Sequence, residues 1–286
     1  MLILIVAIFV ELVVSSRLSI GRFGWSFLTT ATWNPVTEVF GAASSIYGTL
    51  VSTTIAMLLA VPVGLITALF LVELAPPAIA RFVGTGVELL AAVPSIIYGM
   101  WGLFVFAPWM AGYIQPGLQS TLGFLPLFQG RMNGQGMLTA GVILAIMILP
   151  FITAVTRDVF AMVPAAVKES AYGMGATTWE VTRRVTIRYG FRGIIGAALL
   201  GLGRAIGETM AVTFVIGNSH RIRPSLFEAG NTITSALANE FAEASEAIHL
   251  SALIELGLIL FLITFVIQSF AQVWLKRVSR GMGVGL

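Results

Sequence analysis

The chain contains no cysteine, which removes disulfides, thiolate metal sites and a cysteine nucleophile together. Histidine occurs twice, at His220 and His249, and aspartate once, at Asp158. A Ser-His-Asp triad or a carboxylate–histidine metal centre would have to come from those three residues, so a membrane-embedded enzyme has no obvious catalytic set. Charged residues are only 10% of the 286, against about 25% in a soluble domain; an ordinary cytosolic enzyme is excluded. Lysine is scarce as well. Lys168 and Lys276 are the only two, neither follows a glycine, and a G-x-x-x-x-G-K-[ST] phosphate loop is therefore missing. If ATP powers this protein, it is bound by another chain; no cofactor is expected here.

What is abundant is apolar surface: 57% of residues are hydrophobic and the mean hydropathy is +0.95. That much apolar side chain cannot stay solvated, so disorder is excluded, and an all-α polytopic membrane protein remains. The net charge of +3 and pI near 9.6 are explained by basic cytoplasmic loops, without nucleic acid. A helix needs about 20 mainly apolar residues to cross the bilayer. Six segments qualify or nearly do, at 1–14, 46–74, 85–109, 137–160, 193–216 and 250–275, forming one transmembrane domain over 1–286. The first is short and lacks the basic flank and cleavage site of a signal peptide; it reads as a transmembrane helix that starts late.

Loop charges set the topology. Arg81, Arg157, Lys168, Arg183, Arg184, Arg188, Arg192, Lys276, Arg277 and Arg280 place ten basic residues on one face. Arg17, Arg22, Arg131, Arg221 and Arg223 place five on the other. By the positive-inside rule both termini and the loop at about 160–192 are cytoplasmic. His220, Arg221 and Arg223 are then external, either a solvated rim or a place where an anion arrives. Pro62 and Gly64 fall inside the second span and Pro94 inside the third. Proline kinks a helix; routine bending accounts for Pro62, while Pro94 reads equally as a bend or as part of a translocation path.

Within 160–192, Pro164 can open a short helix over 165–172, and Gly173 and Gly175 can end it as left-handed caps. Thr177 and Glu180 have capping-box spacing and start a second helix. Helix, glycine turn, helix outside the bilayer is either a surface hairpin held by anionic headgroups or a docking element for a soluble partner. In the fifth span, Arg204 lies eleven residues from each end of 193–215, at mid-membrane. An arginine there has an insertion penalty of roughly 2.5–3.5 kcal/mol and defaults to function. Glu208, four residues on, is expected one turn away on the same face, able to neutralise it. An internal ion pair is one reading; an anion site, with the guanidinium as a fork of donors to an oxyanion, is the other. Gly203 and Gly207 offer a G-x-x-x-G approach for a second helix. The run G-x-G-x-x-x-G is one residue too long for a dinucleotide fingerprint. Glu88, Glu255 and Glu11 also fall in spans, each nearer an end than the middle, and are expected to be solvated interface residues.

Glu169-Ser170-Ala171, Gly175 six residues after the glutamate, and Val185-Thr186-Ile187 resemble the E-A-A-x-x-x-G-x(9)-I-x-L-P loop of ABC importer permeases. Ser170 replaces the first alanine and Arg188 the proline. The run 201–218, the stretch from Thr30 to Pro35, the run from Ala92 to Gly99 and the loop itself together resemble the first-permease family of bacterial high-affinity phosphate importers. The resemblance implies a type I ABC importer permease fold with six transmembrane helices in the cell membrane. It implies an ATPase-docking segment at Glu169, Ser170, Ala171, Tyr172, Gly173 and Gly175, and phosphate passage by Arg204 and Glu208. It also implies partners: a homologous second permease, two cytoplasmic ATP-binding subunits and an external phosphate-binding protein. Another oxyanion, sulfate or molybdate, is the alternative cargo. A stand-alone channel or carrier would carry inverted repeats with interrupted helices, and no such halves are visible.

Overall fold

The computed structural model describes residues 2–281, with side chains from Ile3 to Arg277. Met1 and residues 282–286, at the ends of the one domain expected over 1–286, lie outside the described residues, as does the side chain of Arg280. Among the described residues there is no strand, and extended backbone pairs once, between Asn34 and Val39. Among the described residues five helices are long and apolar enough to cross a bilayer: Ala43–Leu74, Ser95–Leu122, Met137–Ala161, Thr178–Ile206 and Ala247–Arg277. The candidate for a sixth span is the pair Ile3–Ser15 and Arg17–Phe23, apolar enough together but bent by 52°.

The second span begins at Ala43, and Pro62 leaves the helix unbroken as far as Leu69, where it widens into a π segment, Phe70–Leu74. The third span is not 85–109. Pro77–Ala91 is a separate helix, and Pro94 stands at the N-cap of the next, Ser95–Trp101. Proline has no N–H and a fixed φ, so a helix start suits it better than a helix interior; Ala92 and Val93 supply the turn. The fifth span is not one helix over 193–216 either. Ile187–Ile206 ends one residue before Gly207, and Met210–Val215 follows as a separate short helix. The break has one local and one tertiary cause. The Glu208 carboxylate accepts the Ala211 N–H at 3.2 Å, and its carbonyl accepts the Thr234 hydroxyl at 2.6 Å. Both bonds compete with helical continuation.

The chain forms two compact units. One is drawn from Met1–Ile55, Pro94–Leu144 and Ile206–Val266. Its core gathers Phe27, Trp33, Phe40, Ile233, Leu253 and Leu256. Close approaches there rely on missing side chains: a Cβ on Gly48 would lie 1.9 Å from the Asn231 carbonyl oxygen of a loop, and one on Gly99 would lie 3.0 Å from the Ala211 Cα of a neighbouring helix.

The other unit is drawn from Ala56–Val93, Ala145–Ala205 and Ile267–Leu286. Ile148, Ile152 and Phe160 are fully or nearly buried in it, and Gly190, Gly193 and Gly201 press against Phe160, Val159 and Ile152. Gly203 is approached by Gln268, whose amide donates to the Leu199 carbonyl at 2.9 Å.

Candidate functional site

The hairpin after the fourth span is built by short-range signals. Pro164 caps the helix Ala165–Gly173. It closes through a Schellman pair, in which Ala176 N–H donates to the Ala171 carbonyl at 3.1 Å and Gly175 N–H to the Tyr172 carbonyl at 2.9 Å. Gly175, at φ +86°, is the left-handed residue this motif needs. Gly173 is the last helical residue, so of the two expected glycine caps only one is left-handed. The capping box forms as its spacing requires: Thr177 Oγ1 accepts Glu180 N–H, and Glu180 Oε2 accepts Thr177 N–H at 3.0 Å. The second helix does not lie apart from the bilayer spans. Thr178–Val181 continues through a π segment, Thr182–Thr186, directly into Ile187–Ile206.

Of the residues expected to dock an ATPase, Ala171 is buried. Glu169, Ser170, Tyr172, Gly173 and Gly175 are exposed. The Ser170 hydroxyl is turned back onto the Ala166 carbonyl at 2.7 Å. Val167, Tyr172, Met174 and Trp179 stand open around them. A helix surface that presents apolar groups around a fixed turn is suited to a protein partner. Sequence reasoning passes over Glu73, at the end of the second span. Its Oε1 lies 2.7 Å from Lys168 Nζ and accepts the Thr186 hydroxyl at 2.7 Å. A lone acid near a span end was the available signal, but its partners lie 95 and 113 residues away.

Arg204 and Glu208 are present but not on one helical face. Arg204 lies in the last turn of Ile187–Ile206, where a cation meets the negative end of the helix dipole. Glu208 lies two residues before Met210–Val215, near its positive end. Each charge is thus matched by a different helix terminus, and neither residue takes part in an ion pair among the described residues. The Arg204 guanidinium lies 5.8 Å from the centre of the Phe151 ring, and its Nε is buried without a hydrogen-bond partner.

Three other acids fall differently from expectation or carry more than expected. Glu255 is buried, not solvated: it is 7% exposed and its Oε2 has no partner. The first helical pair covers it, fixed by Ser19 N–H donating to Ser251 Oγ at 3.1 Å, a tertiary contact invisible to position in the span. Glu88 is half-exposed and paired with Arg157, while Glu11 is exposed and accepts from Ser15 Oγ at 2.9 Å.

Both histidines converge on one carboxylate. Glu240 has His220 Nε2 at 3.1 Å, His249 Nε2 at 3.0 Å and the Trp33 indole N–H on its oxygens. Burial pushes the Glu240 carboxyl upward, but the bonds from His220, Trp33 and His249 outweigh it and hold the group below its ordinary value. Asn231 Nδ2 meets His220 Nδ1 at 2.7 Å, which holds the ring with Nε2 toward the carboxylate. These groups pair directly with one another, and among the described residues no set of three ligands is placed to hold a metal. Beside them Trp33, His220, Arg221 and Arg223 line an open pocket of about 760 Å³.

A helical membrane chain with a broken fifth span and an exposed hairpin between its fourth and fifth spans is a transport permease in outline, and the sequence places it more closely. Residues 60–280 match the model of the binding-protein-dependent transport system inner membrane component, and the chain belongs to that family. It is 53% identical over 286 residues to the phosphate transport system permease protein PstC of Mesorhizobium japonicum, covering 99% of this chain and 88% of that one. It is 37% identical over 265 residues to the probable phosphate transport system permease protein PstC of Methanocaldococcus jannaschii, covering 91% and 84%. Among solved structures, a bacterial alginate ABC transporter in complex with an alginate pentasaccharide-bound periplasmic protein aligns with TM-score 0.62 over 93% of this chain and 88% of that one at 17% identity. The MetNI methionine ABC transporter, facing inward, aligns with TM-score 0.59 over 88% and 99% at 17% identity. These two establish the type I ABC importer permease fold.

Proposed function

We propose that this permease carries inorganic phosphate into the cell, as one of two homologous permease subunits driven by ATP hydrolysed on separate chains. The partners are a second permease, two cytoplasmic ATP-binding subunits that hold the ATP, and an external phosphate-binding protein. Both termini and the hairpin face the cytoplasm, a placement supported by the ten-to-five balance of basic residues. The observation that carries the reading is Arg204, whose partly buried guanidinium leaves Nε without a partner two residues before the span ends. Broken helices inside membranes are tolerated where they line a cavity or a substrate site. The relatives named for phosphate support the choice of anion.

In this mechanism closure of the ATPase dimer pushes the helix Ala165–Gly173 and reopens the permease pair outward. Phosphate released from the binding protein meets Arg204, whose N–H groups fit a tetrahedral oxyanion. Glu208, held at the break by the Ala211 N–H, keeps the site from becoming a permanent anion trap, since a site that binds too tightly cannot conduct. The test is a pull-down from membranes on a tag carried by this chain, followed by labelled phosphate uptake. Recovery of a second permease and an ATPase, with ATP-dependent uptake, is expected. A chain that purifies alone and passes anions without ATP overturns the reading; uptake of sulfate or molybdate in preference to phosphate changes the cargo only.

A further inference from the structure

Glu73 holds both arms of the hairpin with one oxygen. Lys168 belongs to the helix before the glycine turn and Thr186 to the segment after it, and each places its polar atom 2.7 Å from Glu73 Oε1. The carboxylate side chain is only 6% exposed and the lysine 18%, so the pair is screened far less than a surface ion pair.

Two of the four π segments among the described residues fall at the same place. Glu73 lies in the π segment Phe70–Leu74 and Thr186 in the π segment Thr182–Thr186. Such turns are rare, concentrate at functional positions, and persist where local contacts over-determine them. Here the two meet across a single hydrogen bond. Beside this bond Ile66, Leu69, Phe70, Trp179 and Ile187 surround an apolar cavity of about 560 Å³. The cavity is an open groove, with Ile66 and Trp179 largely exposed, and the polar bond bridges the second span and the post-turn segment beside it.

We propose that Glu73 is the positioning residue that couples the hairpin to the second span: its carboxylate ties both hairpin arms to the span end, so that movement of the short helix is delivered to the span instead of being absorbed by the glycine turn. The inference rests on the docking role proposed for the hairpin. It assigns to Lys168, which adjoins the docking glutamate Glu169, a task on the inner side of the same helix. Glu169 faces outward, exposed, and Lys168 faces inward, partly buried.

The test uses the whole complex, reconstituted in vesicles with its second permease, ATPase subunits and external binding protein. The variants are Glu73→Gln, Thr186→Val and the exchange E73K/K168E. Phosphate moved and ATP hydrolysed are measured together. Assembly and hydrolysis are expected to persist, while phosphate moved per ATP falls about tenfold in Glu73→Gln, within the ordinary range of inter-site coupling. Thr186→Val, which removes only one hydroxyl, falls less and remains informative if Glu73→Gln does not accumulate. The exchanged pair recovers part of the loss.

A second readout is independent of cargo: amide exchange in the segment 70–74 responds to nucleotide binding in the wild type, and in Thr186→Val the response stays within the hairpin. Parallel loss of hydrolysis and transport in every variant would assign Glu73 a purely structural role and overturn the proposal. So would unchanged coupling, or an exchange response in Thr186→Val that matches the wild type. A wild-type complex that hydrolyses ATP without moving phosphate sinks the cargo assignment instead, and leaves the exchange comparison to decide the role of Glu73.

Discussion

Gly175 and Gly173 lie two residues apart in the hairpin, and the structure predicts opposite outcomes for the same substitution. Gly175 sits at φ +86°, and a Cβ added there would meet nothing within 4 Å. The penalty of Gly175→Ala is thus backbone strain alone, ~1–2 kcal/mol for an L-residue in the left-handed region. Since 1.4 kcal/mol is a factor of ten, the equilibrium constant for forming the docking-competent hairpin falls by roughly 5- to 30-fold, and its affinity for the ATPase subunit by up to that factor. Gly173 also has open space around its Cβ position, but it is helical, so Gly173→Ala gains up to ~1 kcal/mol of helix propensity. The assay is a titration of labelled ATPase subunit onto the permease in lipid nanodiscs. Weaker binding for Gly175→Ala with equal or tighter binding for Gly173→Ala is expected. Wild-type affinity for Gly175→Ala, or the reverse order of the two, would refute the Schellman assignment as the basis of docking.

Two further predictions concern the other unit. The Glu240 carboxyl is held below its ordinary value of 4.5, so its contribution to stability is present above that value and is lost as the pH falls through the depressed folded one. The thermal midpoint of the wild type should drop on acidification below 4.5, and Glu240→Gln should be less stable at neutral pH and flatter across that window. A wild-type midpoint insensitive to acid would contradict the network. Gly48→Ala places a methyl 1.9 Å from the Asn231 carbonyl oxygen and forces helix and loop apart, at about 1–3 kcal/mol or more. A lowered melting temperature in detergent is expected, and an unchanged one would rule out the close approach.

Signals that act over three or four residues were legible in the sequence. Thr177 with Glu180, Pro164 before its helix and Gly175 at the turn all do in the structure what their spacing implies. Hydropathy located the second and fourth spans to within a few residues. It misplaced the third because averaging over a window does not register that Ala92 and Val93 turn ahead of Pro94. It also missed the break after Ile206, because Gly203 and Gly207 look the same in a helix-packing motif and beside a break; the cause lies in Thr234, 26 residues away. Tertiary partners decided the remaining cases. Glu255 is buried, Glu73 gathers Lys168 and Thr186, and Glu240 gathers His220, His249 and Trp33. No local pattern marks those encounters.

Arg204 tests the account most directly. In the complex reconstituted with its partners, Arg204→Gln leaves a shorter, polar and uncharged side chain, and so removes the charge and the donor fork that would meet the anion. The account predicts that the variant assembles and hydrolyses ATP while labelled phosphate uptake falls to background. Uptake at the wild-type rate in Arg204→Gln, with assembly intact, would contradict it.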